Sequence, residues 1–166
     1  MIGGISSGAQ GALMLASRTP DLYTGAVGYS GCYLTEGPVG RALTDLVVLN
    51  GMANSEMMWG PEGSEAWREH DLFAMRPPSQ ARRSISPPAT AYPDHTITES
   101  PRHRPDRHRG WTSRSRSNLC TDQLAQALRD AGVDVTRSAQ PVGVHAWPYW
   151  RDELGRSWPT IEAALR

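Results

Sequence analysis

The sequence predicts an α/β fold with a mostly parallel sheet, because strands and helices alternate along the chain. An apolar strand ends at Ile5, and a helix rich in small residues follows over residues 8–16. A second short strand is predicted over residues 24–30. This alternation favours three layers, with the sheet between helices. A chain of 166 residues with zero formal net charge suits one domain and has no general attraction to nucleic acid or anionic membranes.

The later elements follow from the same patterns. Pro20 ends the first helix, because proline cannot continue one. Residues 43–49 are apolar and fit either a helix or a strand. Beyond residue 117 the predicted elements are a helix with Thr121 as its N-cap, a strand over residues 133–136, and a helix over residues 158–165 that starts with Pro159.

Composition divides the chain into three segments. Residues 77–117 contain no Leu and no Val, and they hold seven of the thirteen prolines. Such a segment cannot bury enough apolar surface to offset the entropy lost on ordering. We therefore expect an irregular central segment between two parts of one domain, residues 1–76 and 118–166.

Residues 4–8, Gly-Ile-Ser-Ser-Gly, match the G-x-S-x-G pattern of a nucleophile elbow. The serine must stand on a sharp strand-to-helix turn, and small flanking residues relieve crowding there. Ser6 is the predicted nucleophile, and the backbone N–H of Ser7 is the predicted oxyanion-hole donor. An ordinary Gly/Ser turn has the same composition, but the preceding strand and the following helix favour the elbow.

A serine nucleophile needs a base, and His145 is the best candidate among five histidines. In this fold class the serine comes first along the chain and the histidine last. His70 lies among charged residues and is predicted to be a solvated surface side chain. The other three histidines, His95, His103 and His108, fall in the irregular segment.

Three separated segments resemble the antigen 85 mycolyltransferases and their esterase relatives. They occur in the family's order and leave only the central segment unmatched. The matching residues are 4–13 with Pro20-Asp21 and Ser30-Gly31, then 58–61 with Ala66-Trp67 and Asp71, and finally 143–150.

The resemblance implies the C-terminal portion of a serine α/β-hydrolase with a three-layer, mostly parallel sheet. It implies that Ser6 and His145 move an acyl chain from a lipid donor to a sugar, a glycerolipid or water, with Trp147 near an acceptor sugar. It also implies secretion or a place in the cell envelope, although the sequence has no signal-peptide pattern. A plain carboxylesterase and an inactive fragment that only binds are the alternatives.

Two departures from the family lead us to expect from the sequence that this chain is partial and inactive. The sequence starts at the elbow strand, whereas the family places strands and the second oxyanion-hole donor before it. The family's catalytic acid also has no counterpart, because Thr-Ser-Arg-Ser-Arg-Ser occupies residues 112–117. Asp122 is a weak substitute, since an acid in the first turn of a helix is expected for the helix dipole alone. We hypothesise that residues 76–117 are translated out of frame, because a shifted frame can restore a glycine-rich loop and an Asp-Leu-Glu sequence.

The remaining features exclude several classes. No spacing matches a metal-ligand set, so we expect no metal and no cofactor. The Arg/His run at residues 101–109 lacks the interleaved aromatic residues of a nucleic-acid site, and no apolar run is long enough to cross a membrane. Cys32 and Cys120 could form one disulfide or remain free. Residues 57–59, Met-Met-Trp, could line an acyl groove, but we expect them to pack in the core.

Overall fold

A single parallel sheet lies between helices. The structure, a computed structural model, describes residues 1–74, 90–92, 114–139 and 145–165. The strands are β1 (Ile2–Ile5), β2 (Ala26–Tyr29), β3 (Thr90–Tyr92) and β4 (Arg137–Ala139), adjacent in that order. The helices are α1 (Ser7–Arg18), α2 (Gly37–Asn50), α3 (Ser55–Trp59), α4 (Glu65–Glu69), α5 (Arg114–Asp130) and α6 (Trp147–Leu165).

Side chains of β2 establish the three layers. Val27 and Tyr29 pack with Trp150 and Ile161 of α6. Gly28 points the other way, because successive residues of a strand face opposite sides of the sheet. A Cβ on Gly28 would lie 3.2 Å from the Cβ of Ala9 in α1. Helices α1 and α6 therefore cover opposite faces, which confirms the predicted three-layer α/β arrangement.

The register of β1 and β2 aligns their carboxyl ends. Ile5 pairs with Tyr29, so the residues that follow the two strands, Ser6 and Ser30, lie side by side. The Ser6 N–H donates to the Tyr29 carbonyl at 2.8 Å and continues the ladder by one residue. In open parallel sheets ligands bind beyond the carboxyl ends of the strands, so this edge is where a site is expected.

The buried carboxylate of Asp71 secures the chain that leaves this edge. One carboxylate oxygen accepts from the backbone N–H groups of Thr35, at 2.9 Å, and Glu36, at 2.7 Å. The other oxygen accepts from the N–H groups of Phe73, at 2.7 Å, and Ala74, at 3.3 Å. Four backbone donors thus depend on one side chain, which ties the segment after β2 to residues 71–74.

Several expectations from the sequence are wrong in their boundaries. Residues 43–49 belong to helix α2, which the apolar pattern alone did not decide. Helix α5 begins at Arg114, so Thr121 is not an N-cap but a fully buried residue in the helix interior. Residues 133–136 are not a strand, and β4 begins at Arg137 instead.

The last helix is also longer than predicted. It runs without interruption from Trp147 to Leu165, and Pro159 lies inside it rather than at its start. A proline inside a helix removes one hydrogen bond and crowds the carbonyl four residues earlier. The buried residues Trp150, Ser157 and Ile161 share one face on both sides of Pro159, and their packing holds the helix together across it.

Two side-chain predictions also need correction. His70 is half-buried rather than fully solvated, and its ring stacks on Trp59 with centroids 4.7 Å apart. Met57 is 88% exposed and Met58 is 47% exposed, so neither is a core residue. The predicted irregular segment, residues 77–117, contains β3 and the first residues of α5. The rest of that segment lies outside the described residues.

Cys32, just beyond the carboxyl end of β2, is disulfide-bonded. Of the two alternatives that the sequence leaves open for this residue, the structure therefore has the disulfide. Among the helices of the described ranges, none combines the length and apolarity that a membrane span requires.

Candidate active site

The turn at Ser6 has the strained backbone that a nucleophile elbow requires. Ser6 stands between β1 and α1 with φ 56° and ψ −124°, and the positive φ is uncommon for a residue other than glycine. A Cβ on Gly4 would lie 1.9 Å from the carbonyl oxygen of Gly8, so the strand and helix approach too closely for any side chain at residue 4. At Gly8 a Cβ would meet no atom within 4 Å. The first glycine of the motif is therefore a steric requirement here, whereas the second is not.

The predicted nucleophile and the predicted base contact each other. The Ser6 Oγ lies 2.9 Å from Nε2 of His145, across a separation of 139 residues in sequence. His145 precedes α6 by two residues. This distance is within the range for proton transfer between a serine and its base. Although the residue is partly exposed to solvent, burial of the imidazole lowers the pKa of His145 below its usual 6.5, which keeps the ring uncharged at neutral pH.

Two other predicted residues flank this pair. Ser7 is the first residue of α1, so its N–H has no acceptor within the helix and is available to a ligand at the helix N-terminus. Trp147 begins α6 and is 71% exposed. Its ring packs edge-on against Trp150, with centroids 5.4 Å apart. Trp147 is thus an exposed aromatic side chain, separated from His145 by the ring of Trp150.

Asp122 is held elsewhere. Its carboxylate forms an ion pair with the guanidinium of Arg137 in β4, and it lies inside α5 rather than in the first turn that the sequence predicted. No hydrogen bond joins it to His145. Within the described parts of the chain, no carboxylate hydrogen-bonds the His145 ring. The segment proposed to be out of frame lies mainly in residues outside that description.

Sequence reasoning missed two residues of this neighbourhood, Ser30 and Trp150. The Trp150 indole N–H donates to the Ser30 hydroxyl at 3.0 Å, and the Trp150 ring meets the His145 ring edge-on with centroids 4.9 Å apart. Both residues fall in segments that resemble the family, but nothing in the sequence pairs them, because they are 120 residues apart.

In the described ranges no cluster of three or more His, Cys, Asp or Glu side chains could hold a metal ion.

The chain is similar to known proteins. The model of the esterase family matches residues 1–161. The diacylglycerol acyltransferase/mycolyltransferase Ag85C of Mycobacterium leprae (strain TN) is 27% identical over 169 residues, which cover 98% of this chain and 48% of that protein. This chain thus spans about half the length of that relative.

A solved structure shares the fold. The crystal structure of Mycobacterium tuberculosis MPT51 (FbpC1) superposes with a TM-score of 0.74 at 18% identity, over 99% of this chain and 59% of that one. This similarity identifies an α/β-hydrolase fold, as the resemblance implied. The family match over residues 1–161 shows that the chain belongs to the esterase family.

Proposed function

We propose that this chain carries the nucleophile and base of a serine acyltransferase or esterase that works through an acyl-enzyme. The observation that supports this most directly is the 2.9 Å contact between Ser6 Oγ and His145 Nε2 at a strained elbow. An ordinary Gly/Ser turn gives no reason for a distant histidine to meet the serine. The Mycobacterium leprae relative Ag85C is a diacylglycerol acyltransferase/mycolyltransferase, which supports a lipid acyl donor for this chain.

The chemistry follows from the positions of the three groups. Nε2 of His145 takes the proton of Ser6 as Oγ bonds to the ester carbonyl carbon. The negative charge that develops on the carbonyl oxygen lies beyond the start of α1, where the Ser7 N–H can donate to it. The bond to the leaving alcohol then breaks, and the alcohol takes the proton from His145. An acceptor hydroxyl or water repeats the sequence in reverse and releases the acyl group from Ser6.

A fluorophosphonate probe tests whether the site works in this chain. We expect covalent labelling of the full chain at Ser6, located by mass spectrometry and abolished in Ser6→Ala. His145→Gln should slow labelling by about 10²-fold or more, because that is the usual contribution of general base catalysis. Ser17→Ala is a matched control, since this serine lies in α1 and its hydroxyl donates to the Leu13 carbonyl of the same helix at 2.9 Å. A wild-type chain that is folded but unlabelled would favour the inactive binding fragment.

The choice between transfer and hydrolysis concerns the acceptor. We propose that the exposed ring of Trp147 holds a sugar or glycerolipid acceptor, because the family resemblance implies this position and the ring is 71% exposed. The assay compares acyl transfer to trehalose with release of free acid. Trp147→Ala should lower transfer relative to hydrolysis, whereas Trp158→Ala removes another Trp of α6, 51% exposed, and should not. Release of free acid by the wild type without acyl transfer to trehalose would identify a plain carboxylesterase.

The catalytic acid remains part of the frame-shift hypothesis. The codons for residues 76–117, read from the gene, test it directly. A frame change that restores a glutamate before α5 would supply the partner for Nδ1 of His145. Codons with an ordinary coding signature in the present frame throughout would refute the hypothesis. The proposed secretion or cell-envelope location, which also follows from the family, is tested by fractionating cells that express the complete gene.

A further inference from the structure

The two serines at the ends of β1 and β2 are close structural counterparts. Each is the first residue after its strand, and the strand register places them side by side. Each also has a positive φ, 56° at Ser6 and 55° at Ser30. This conformation is uncommon for serine, and here it occurs twice at one edge of the sheet. Strained backbone of this kind is found preferentially at functional sites.

Each serine hydroxyl holds one aromatic ring. Ser6 Oγ contacts the His145 imidazole at 2.9 Å, and Ser30 Oγ accepts from the Trp150 indole N–H at 3.0 Å. The two rings in turn meet nearly at right angles, 89°, with centroids 4.9 Å apart. The four side chains therefore form a closed set of contacts. The strand register places Ser6 beside Ser30, and the edge-to-face contact joins His145 to Trp150.

Trp150 is the fixed member of the ring pair. It is 8% exposed and belongs to the hydrophobic cluster of Val27, Tyr29 and Ile161. The hydrogen bond to Ser30 removes the rotation that packing alone leaves to a large planar side chain. A histidine ring that packs on such a surface has few alternatives to the orientation that directs Nε2 at Ser6. Within the described ranges, this indole and the Ser6 hydroxyl are the groups seen to contact the imidazole.

We propose that Ser30 and Trp150 are positioning residues that hold His145 in line with Ser6. Neither residue contacts the reacting atoms, and both act through the orientation of the imidazole. The inference rests on the proposed function, since it assigns a role in the reaction of Ser6. It also extends that function, because a ring contact would supply part of the orientation that a serine hydrolase otherwise takes from its acid.

Matched substitutions separate positioning from a general effect on stability. Trp150→Phe keeps an aromatic ring and removes the N–H, and Ser30→Ala removes the acceptor of the same hydrogen bond. The controls are Trp67→Phe and Ser157→Ala. Trp67 is as buried, at 2% exposed, and its N–H donates to the Gly60 carbonyl at 3.0 Å, away from the site. Ser157 is also buried and bonds to the Tyr29 hydroxyl at 2.6 Å.

The rate of fluorophosphonate labelling is the first measurement, made where circular dichroism shows each variant to be folded. We expect Trp150→Phe and Ser30→Ala each to slow labelling by about 10-fold or more, since small displacements of catalytic groups have large effects on rate. The double variant should be no slower than either single one, because both remove the same bond. The controls should stay within about twofold of the wild type. Equal rates for Trp150→Phe and Trp67→Phe would overturn the inference while leaving the proposed function intact.

An NMR titration of the His145 ring gives a second readout that does not depend on activity. The Ser6 hydroxyl and the Trp150 indole, which contact this ring, are uncharged, and burial is the cause of its lowered pKa. Loosening the ring in Ser30→Ala should therefore expose it to water, raise its pKa toward 6.5 and reduce the ring-current shift caused by Trp150. An unchanged pKa and ring-current shift would overturn the inference even in a chain that the probe fails to label. Failure of wild-type labelling alone would instead count against the proposed function.

Discussion

The two glycines of the elbow motif should respond oppositely to the same substitution. In Gly4→Ala the new Cβ would lie 1.9 Å from the Gly8 carbonyl oxygen, 2.2 Å from the Gly8 carbonyl carbon and 2.7 Å from the Ala9 nitrogen. All three are backbone atoms of the first turn of α1, so no side-chain rotation relieves the overlap. The helix must move away from β1 until the first contact exceeds 3.0 Å, the shortest that real Cβ atoms show.

That movement of more than 1 Å (3.0 minus 1.9 Å) disturbs the core beneath α1. Ala9 is fully buried there, against Tyr33 and Leu72. Overpacking a tight core typically costs 1–3 kcal/mol, and the rigid backbone on both sides places Gly4→Ala at about 3 kcal/mol or more. In Gly8→Ala the added methyl meets no atom within 4 Å, and alanine is favoured over glycine in a helix by roughly 0.5–1 kcal/mol. The two variants should therefore differ by about 4 kcal/mol.

Urea unfolding followed by tryptophan fluorescence measures this difference. With a slope of about 1–3 kcal/mol per molar urea, the two midpoints should be separated by more than 1 M, with the wild type between them and closer to Gly8→Ala. Far-UV circular dichroism identifies a Gly4→Ala chain that does not fold at all, which is the extreme form of the expected result. Equal midpoints, or a Gly8→Ala variant less stable than Gly4→Ala, would refute the steric explanation of the motif.

Three further predictions concern single groups. Asp71→Asn should lower the free energy of unfolding by about 2–4 kcal/mol in thermal unfolding, because an amide has one acceptor oxygen and leaves two backbone donors unpaired; no loss would contradict this role. Labelling of Ser6 should fall with a midpoint below pH 6.5, since burial lowers the pKa of His145 and protonation removes the base. The stability linked to neutral His145 should be complete above pH 6.5 and decline as the pH falls toward the folded pKa, and a midpoint above 6.5 would exclude this explanation. Reduction of the disulfide at Cys32 should cost roughly 2–4 kcal/mol, which an unchanged melting temperature under dithiothreitol would disprove.

The sequence predicted the elbow and the layers because both depend on local patterns. The strand, the Ser6 turn and the small-residue helix are contiguous, so their residue types alone predict the turn. Gly4 permits the close approach of strand and helix that the structure shows. The order of Ser6 and His145 along the chain likewise favoured His145 among five histidines, and this is the histidine that contacts Ser6. Residues 43–49 could not be assigned in this way, because a short apolar run suits a helix or a strand equally well.

Only the tertiary structure decided which distant groups meet. Pro159 looked like a helix start, but the packing of Trp150 and Ile161 on β2 keeps α6 continuous through it. Asp122 looked like a possible acid, but Arg137 of β4 pairs with it instead. The hydrogen bond between Trp150 and Ser30 joins side chains 120 residues apart. Such contacts depend on the register of the strands and on which helix face is buried, which single-sequence patterns do not contain. The sequence by itself therefore determined the kind of turn that carries Ser6, the proposed nucleophile, whereas folding determined what surrounds it.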